Sequence, residues 1–317
     1  MAKLSSKKAS SVQSVIIYGA PKTGKTLLAG KLSEYYNIVW IDMENGHETL
    51  FQLPEAWQDN IELISLPDTR TFPIAIETVL KIVKGGPVAI CAEHGKVDCA
   101  LCKRELVKKQ KDLEEAGDEK AVQAVMNEYF TTINMSALGS DDLIVFDSLT
   151  QLTNSAIAHI TKKEPEDYKL TYDDWGNLGK LLDIFLSHIQ QAKCNVVVIS
   201  HETEAEGEGT KRKTLVPVAG TRNFSRNSAK YFGHVVYCER KNKKHVFASS
   251  TTYATNILTG SRTDISLEDL EEDSLLPIFK PELFSGKNAD KQADNKSTAS
   301  TSNKDRTDAI LARLKTK

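Results

Sequence analysis

Cysteine is scarce in this chain, with five in 317 residues. A secreted scaffold held by disulfides would need more of them and a more even spread, so the expected compartment is the cytosol. Charge of one sign is lacking as well: 41 Lys and Arg face 43 Asp and Glu, a net charge of −2. Any case for nucleic-acid binding must therefore rest on local groups. No apolar run approaches the roughly 18–20 residues that span a bilayer, and no membrane partner is expected. The opening MAKLSSKKASSVQS is basic but has no apolar core, so it does not read as a secretory signal. Internal repeats are missing too. What is present is ordinary for a globular protein, 40 % hydrophobic and 26 % charged residues, which excludes collagen-like, coiled-coil and wholly disordered chains. The length suits one large α/β domain or two small ones.

Short β-branched runs alternate with helical spacing. VIIY (15–18), IVWID (38–42), IELISL (61–66), LIVF (143–146) and VVVIS (196–200) read as strands. Residues 26–36, 72–84, 150–162 and 174–192 read as helices, and Gly85-Gly86-Pro87 stops the second. This alternation predicts an α/β fold, a mostly parallel sheet with helices on both faces. Residues 1–13 read as a flexible arm and 14–284 as the core. An insertion at 85–140 continues beyond a Cys/His knuckle as a charged helical stretch, 103 to about 135, broken near Gly117. A polar, Gly-rich, basic loop is expected over 203–230, and a hairpin across Arg240–Lys244. Residues 285–304 contain no Val, Ile, Leu, Met or aromatic side chain and read as a disordered linker, with a short helix at 305–317.

Residues 19–26 are Gly19-Ala20-Pro21-Lys22-Thr23-Gly24-Lys25-Thr26, the pattern GxxxxGKT between an apolar strand and a helix. Its glycines let backbone N–H groups converge on phosphate oxygens, Lys25 neutralises the β- and γ-phosphates, and the Thr26 hydroxyl ligates Mg²⁺. The strand LIVF runs into Asp147-Ser148, with Asp147 placed for the Mg²⁺ shell. IVWID leads into Asp42-Met43-Glu44, whose Glu44 can orient and deprotonate a water, although Glu44 taken alone reads first as a solvated residue in a turn. His201 follows VVVIS, beside the expected γ-phosphate or as a capping or solvent-facing histidine.

In this order, phosphate loop, D-x-E, D-S and polar sensor, the pieces resemble the RecA-type recombinase core. Tyr172-Asp173-Asp174-Trp175-Gly176 and Val216-Pro217-Val218-Ala219-Gly220 make residues 14 to about 280 similar to the minimal RecA-like ATPases of bacteriophages, which assist single-strand annealing and recombination. The resemblance implies an AAA-type, RecA-like P-loop ATPase core, ATP with Mg²⁺, and DNA-stimulated hydrolysis in recombination, annealing or replication. Lys25, Glu44 and His201 would be catalytic, and Gly19–Thr26 with Asp147 and Ser148 would bind nucleotide. It implies single-stranded DNA as partner, a homo-oligomer with ATP sites at subunit interfaces, and a single-strand-binding or other replication protein as a further partner. The implied location is cytoplasmic, the host's for a phage-encoded chain. Two features depart from the family: His201 stands where bacterial RecA has Gln, and no large oligomerisation domain precedes the first strand.

Cys91, His94, Cys99 and Cys102 form C-x₂-H-x₄-C-x₂-C within twelve residues. Four such ligands close a tetrahedron around a structural Zn²⁺, with Gly95 allowing the turn between the pairs. Cys194 and Cys238 read as core thiols. Lys211, Arg212, Lys213, Arg222, Arg226 and Lys230 form one local basic group, and Arg240, Lys241, Lys243, Lys244 and His245 another. The first is expected to bind DNA phosphates, with Phe224 or Tyr231 stacking on bases. The second is a DNA site, a polar turn, or a group reaching a neighbouring subunit's γ-phosphate. The rival readings are a nucleotide switch such as a helicase loader, and a small-molecule kinase.

Overall fold

A computed structural model describes residues 12–115, 119–206, 213–241, 244–248, 256–262 and 274–283. The linker and the C-terminal helix expected from the sequence, most of the N-terminal arm, and Lys211, Arg212 and Lys243 lie outside these residues. The chain divides into two units, 1–279 and 280–317; the second contributes one described turn, Pro281–Leu283.

In the first unit the strands are β1 (Ser14–Tyr18), β2 (Asn37–Asp42), β3 (Ile61–Ser65), β4 (Val88–Cys91), β5 (Phe130–Ile133), β6 (Asp142–Asp147), β7 (Asn195–Ser200), β8 (Glu202–Glu206), β9 (Lys213–Pro217), β10 (His234–Lys241), β11 (Lys244–Ala248) and β12 (Gly260–Ser261). The helices are α1 (Lys25–Gly30), α2 (Glu55–Gln58), α3 (Ile74–Lys84), α4 (Ala100–Glu115), α5 (Glu119–Tyr129), α6 (Leu149–Thr161), α7 (Tyr172–Gln190), α8 (Arg222–Ser228) and α9 (Leu276–Phe279). The main sheet runs β11-β10-β1-β7-β6-β2-β3, with β12 also paired to β10. From β10 to β3 every neighbouring pair is parallel; β11 and β12 are antiparallel to β10.

Period-two alternation explains why these runs are apolar throughout. Ile16, Ile144, Phe146, Val196 and Val198 face one core with Leu149, Leu152, Leu182 and Phe185 from α6 and α7. Their alternates Val15, Ile17, Leu143, Val145, Val197 and Ile199 face a second core with Leu28, Leu32 and Trp40. Both faces are covered, as the sequence predicts, and every parallel strand ends on the same side. Phosphate loop, Asp42, Asp147 and Ser200 consequently share one edge of the sheet.

Several elements differ from expectation. The first helix stops at Gly30 and continues as a 3-10 turn, Lys31–Glu34. The helix expected from Phe72 starts at Ile74, because Pro73 suits the cap and has no N–H to contribute. The insertion returns as a strand: β5 pairs antiparallel with β4, Cys91 opposite Phe130 and Val88 opposite Ile133. The 203–230 segment is not a loop throughout. β8 and β9 form an antiparallel hairpin from Glu202 opposite Pro217 to Glu206 opposite Lys213, followed by α8. The expected hairpin across Arg240–Lys244 is present as β10 and β11.

Candidate nucleotide site and Cys/His cluster

The phosphate loop wraps from the end of β1 to the start of α1. Gly19 has φ +153°, and a Cβ there would lie 2.0 Å from the Cys238 carbonyl oxygen on β10, so only glycine fits. Lys22 and Gly24 also take positive φ, 64° and 92°. Thr23 Oγ1 donates to the Ala20 carbonyl at 2.8 Å and tightens the turn. Lys25 is buried and donates to the carbonyls of Gly19 at 2.9 Å and Ala20 at 2.7 Å. Burial pulls its ammonium below the usual lysine range, opposed by the charges of Cys238, Asp147 and Glu44. A desolvated cation at the mouth of converging N–H groups suits a polyphosphate.

Thr26 Oγ1 donates to Asp147 Oδ2 at 3.1 Å, so the two oxygens expected from sequence to ligate Mg²⁺ stand together. Asp147 is buried, and burial followed by the charges of Glu44 and Asp42 pushes its carboxyl up to about 7, against the pull of Thr26 and Lys25. The Thr26 hydroxyl and the Asp147 carboxylate form an oxygen pair of the kind that suits a hard divalent cation. The cradle and the donor set together fit a nucleoside triphosphate with Mg²⁺.

Asp42, fully buried, organises the turn after β2. Its Oδ1 accepts from the N–H of Glu44 at 3.0 Å and of Gly46 at 3.2 Å, while Oδ2 accepts from His47 N at 3.3 Å and lies 2.6 Å from His47 Nδ1. Glu44, although exposed as a residue, is thereby turned toward Ser148 and His201. Ser148 Oγ donates to Glu44 Oε1, and His201 Nε2 lies 3.4 Å from Glu44 Oε2. Burial opposes ionisation of Glu44, but the contacts from His201 and Ser148 and the Lys25 charge outweigh it and hold the carboxyl below the usual range. The peptide Asp147–Ser148 is cis. His201 N donates to Thr150 Oγ1 at 2.8 Å, and the His201 carbonyl accepts from Val218 N at 2.9 Å at the base of the β8–β9 hairpin.

Sequence reasoning assigns no role to Asp42, His47 or Thr150. Asp42 carries the one available signal, a carboxylate closing a buried strand two residues before Glu44. Tyr18, at the end of β1, has a part that its apolar run does not signal: its hydroxyl donates to the carbonyls of Leu215 at 3.0 Å and Leu258 at 2.7 Å.

The basic group is partly brought together. Lys213 Nζ bonds Glu204 Oε2 at 2.9 Å across the hairpin and feels the charge of nearby Arg222. Arg222, Arg226 and Lys230 follow one another at four-residue spacing along α8 and the turn after it, on one side. The stacking role expected of Tyr231 is corrected: the residue is buried and its hydroxyl donates to Asp183 Oδ1. Phe224 packs partly against the core. The core reading of Cys194 and Cys238 agrees with their burial.

In the insertion, Cys91, Cys99 and Cys102 are buried and His94 is half-buried, with all four donor atoms within 4.8 Å of one another. His94 Nδ1 lies 3.9, 3.8 and 3.2 Å from the sulfurs of Cys91, Cys99 and Cys102. A zinc tetrahedron with Zn–S of about 2.3 Å and Zn–N of about 2.0 Å has edges of about 3.5–3.8 Å. Burial, followed by the neighbouring thiols, pushes Cys102 up, while at Cys99 burial is outweighed by contacts from Cys102 and the thiol is held down. The cluster is one that could bind a metal ion such as zinc.

No curated protein matches this chain by sequence. Among solved structures, one described as the crystal structure of the RadB recombinase is similar at 16% identity and a TM-score of 0.36, covering 74% of this chain and 79% of that one. No described helix is long and apolar enough to cross a membrane. Residues 11–263 match the family described as AAA domain, most of the chain. With its phosphate loop ahead of a D-x-E turn, a D-S strand end and a histidine on one edge of a mostly parallel sheet, the chain belongs to the AAA domain family as a P-loop nucleotide-binding protein.

Proposed function

We propose that the protein hydrolyses ATP and couples that hydrolysis to single-stranded DNA. The observation that carries the reading is the position of His201. Its side chain meets Glu44 at the nucleotide site, while its backbone begins the hairpin whose strands are joined by the stretch of sequence that holds Lys211 and Arg212, next to Lys213.

The backbone N–H groups of residues 19–26 and the Lys25 ammonium bind the β- and γ-phosphates. Thr26 and Asp147 would hold Mg²⁺, which supplies charge neutralisation at the phosphate oxygens. Glu44 accepts a proton from the attacking water as the water oxygen bonds the γ-phosphorus, and the β–γ bridging oxygen leaves with ADP. In the geometry described, both Glu44 oxygens are engaged, by Ser148 and His201. Turnover therefore requires His201 to release Glu44, and a γ-phosphate beside His201 competes for the same ring. Arg222, Arg226 and Lys230 give the DNA a sequence-independent contact next to the hairpin. ATP sites shared between copies of the chain, action in recombination or annealing with other replication proteins, a phage source, a cytoplasmic location and a structural Zn²⁺ in the cluster complete the reading.

A second reading, a nucleotide switch with slow turnover, is favoured by the same engaged Glu44. An ATPase assay with and without single-stranded DNA separates the two. Stimulation by DNA supports the first reading; slow turnover unchanged by DNA refutes it and supports the switch.

A further inference from the structure

We propose that the metal-loaded Cys/His knuckle buttresses the Glu44 turn, so that zinc occupancy sets the turnover rate without setting nucleotide affinity. The proposal rests on the zinc and ATPase readings above.

The knuckle is seated on the core. Gly95, between the two ligand pairs, has φ +61°, and a Cβ there would lie 2.9 Å from Pro67 Cδ, 3.0 Å from the Ser65 carbonyl and 3.1 Å from Leu66 Cα. The Gly95 carbonyl accepts from the buried Thr78 hydroxyl on α3 at 3.1 Å. The turn is fixed on the other side by its own ligand residues: Gly95 N donates to the Cys91 carbonyl at 2.9 Å and Cys91 N to the Lys96 carbonyl at 3.1 Å. Val97 and Ile90 enter the same buried cluster as Leu66 and Met43. The chain segment touched by Gly95 is the exit of β3, where Leu66 N donates to the Asp42 carbonyl at 2.8 Å. Asp42 in turn holds the N–H groups of Glu44, Gly46 and His47.

Two backbone contacts thus separate the metal-ligand turn from the residue that aims Glu44. Val97 and the pairing of Cys91 with Phe130 tie one side of residues 91–102 to the core, while the side that holds the ligands buries chiefly the three thiols, with Tyr129 and Phe130 packed against them. A cation binding those thiolates ties the Cys91/His94 pair to the Cys99/Cys102 pair and stiffens the turn at Gly95 between them. The phosphate loop is built on β1 and α1 and shares none of these contacts, so its affinity for nucleotide is independent of the knuckle.

The test uses the full chain. Metal analysis of protein purified without chelator should give one Zn²⁺ per chain. The C99S/C102S variant should contain none. Its affinity for a non-hydrolysable ATP analogue should stay within about 3-fold of wild type, while turnover falls at least 10-fold. Amide exchange of residues 42–47 should accelerate, with residues 19–26 unchanged. A second variant, Thr78→Val, leaves every ligand in place; it should keep its zinc and its nucleotide affinity and show a smaller loss of turnover with faster exchange at 42–47. Protein lacking zinc overturns the metal reading. Zinc-free protein with wild-type turnover and exchange at 42–47 overturns the buttress, as does nucleotide affinity that falls in parallel with turnover. If wild-type protein shows no turnover the ATPase reading fails, and the exchange experiment still decides the buttress.

Discussion

Replacing Asp147 with Asn should stabilise the metal-free protein. The folded carboxyl stays protonated up to about pH 7, whereas an unfolded one ionises at its ordinary value of 3.8. In that interval the unfolded state binds fewer protons than the native state, so stability falls as pH rises, by about 1.4 kcal/mol per pH unit. The interval sums to ~4 kcal/mol, an upper bound because water and local relaxation soften a buried charge. An asparagine removes the effect. Its oxygen can accept from Thr26 as Asp147 does, and its amide hydrogens can face the carboxylates of Glu44 and Asp42 that repel the native charge. The expected gain is about 1–3 kcal/mol at pH 8, or roughly 2–4 °C in Tm per kcal/mol. The gain should shrink as pH falls from 7 and vanish near pH 4, where Asp147 is neutral in both states. Thermal unfolding of both proteins in EDTA between pH 4.5 and 8.5 measures it. Adding Mg²⁺ and ATP analogue should then favour wild type over the variant. A variant less stable than wild type at pH 8, or a difference that does not depend on pH, would refute the reasoning.

Glu44→Gln should keep nucleotide binding and lower turnover roughly 10²–10⁴-fold, the contribution of a positioned base; a rate equal to wild type makes Glu44 a bystander. Lys25→Ala should abolish turnover while the far-UV spectrum stays that of the folded protein. Replacing Arg222, Arg226 and Lys230 together with Ala should flatten the log–log salt dependence of single-stranded DNA binding by roughly 0.7 for each phosphate no longer neutralised, and an unchanged slope moves the DNA site to the hairpin or the insertion. Thr171→Ala removes the side-chain partner of Asp174 N in the α7 capping box and should cost about 1 kcal/mol in denaturant unfolding.

The inner strands β1, β6 and β7 were legible because they are buried on both faces and therefore apolar almost without interruption. The phosphate loop and the strand-end Asp147 were legible because their spacing is local. The insertion's strands were not: Phe130–Ile133 follows helical spacing directly, and its partner Val88–Cys91 lies about forty residues earlier. β8 was invisible for another reason, since Glu202–Glu206 contains one buried apolar side chain, Ala205, and gives no alternation to read. The environment of Glu44 depends on residues more than one hundred positions away, Ser148 and His201, and the residue taken alone reads first as part of a solvated turn. The burial of Tyr231 was hidden because a basic neighbourhood says nothing of which way a ring points.

The β8–β9 hairpin has both strands anchored to the nucleotide half of the molecule, β8 through His201 and β9 through the Tyr18 hydroxyl on the Leu215 carbonyl. Glu206 and Lys213 consequently leave the described hairpin as a fixed pair of posts. Any peptide joining them starts and ends at positions the ATP site has already set. A segment grafted between Glu206 and Lys213 would take both its endpoints from the sheet edge that carries the phosphate loop.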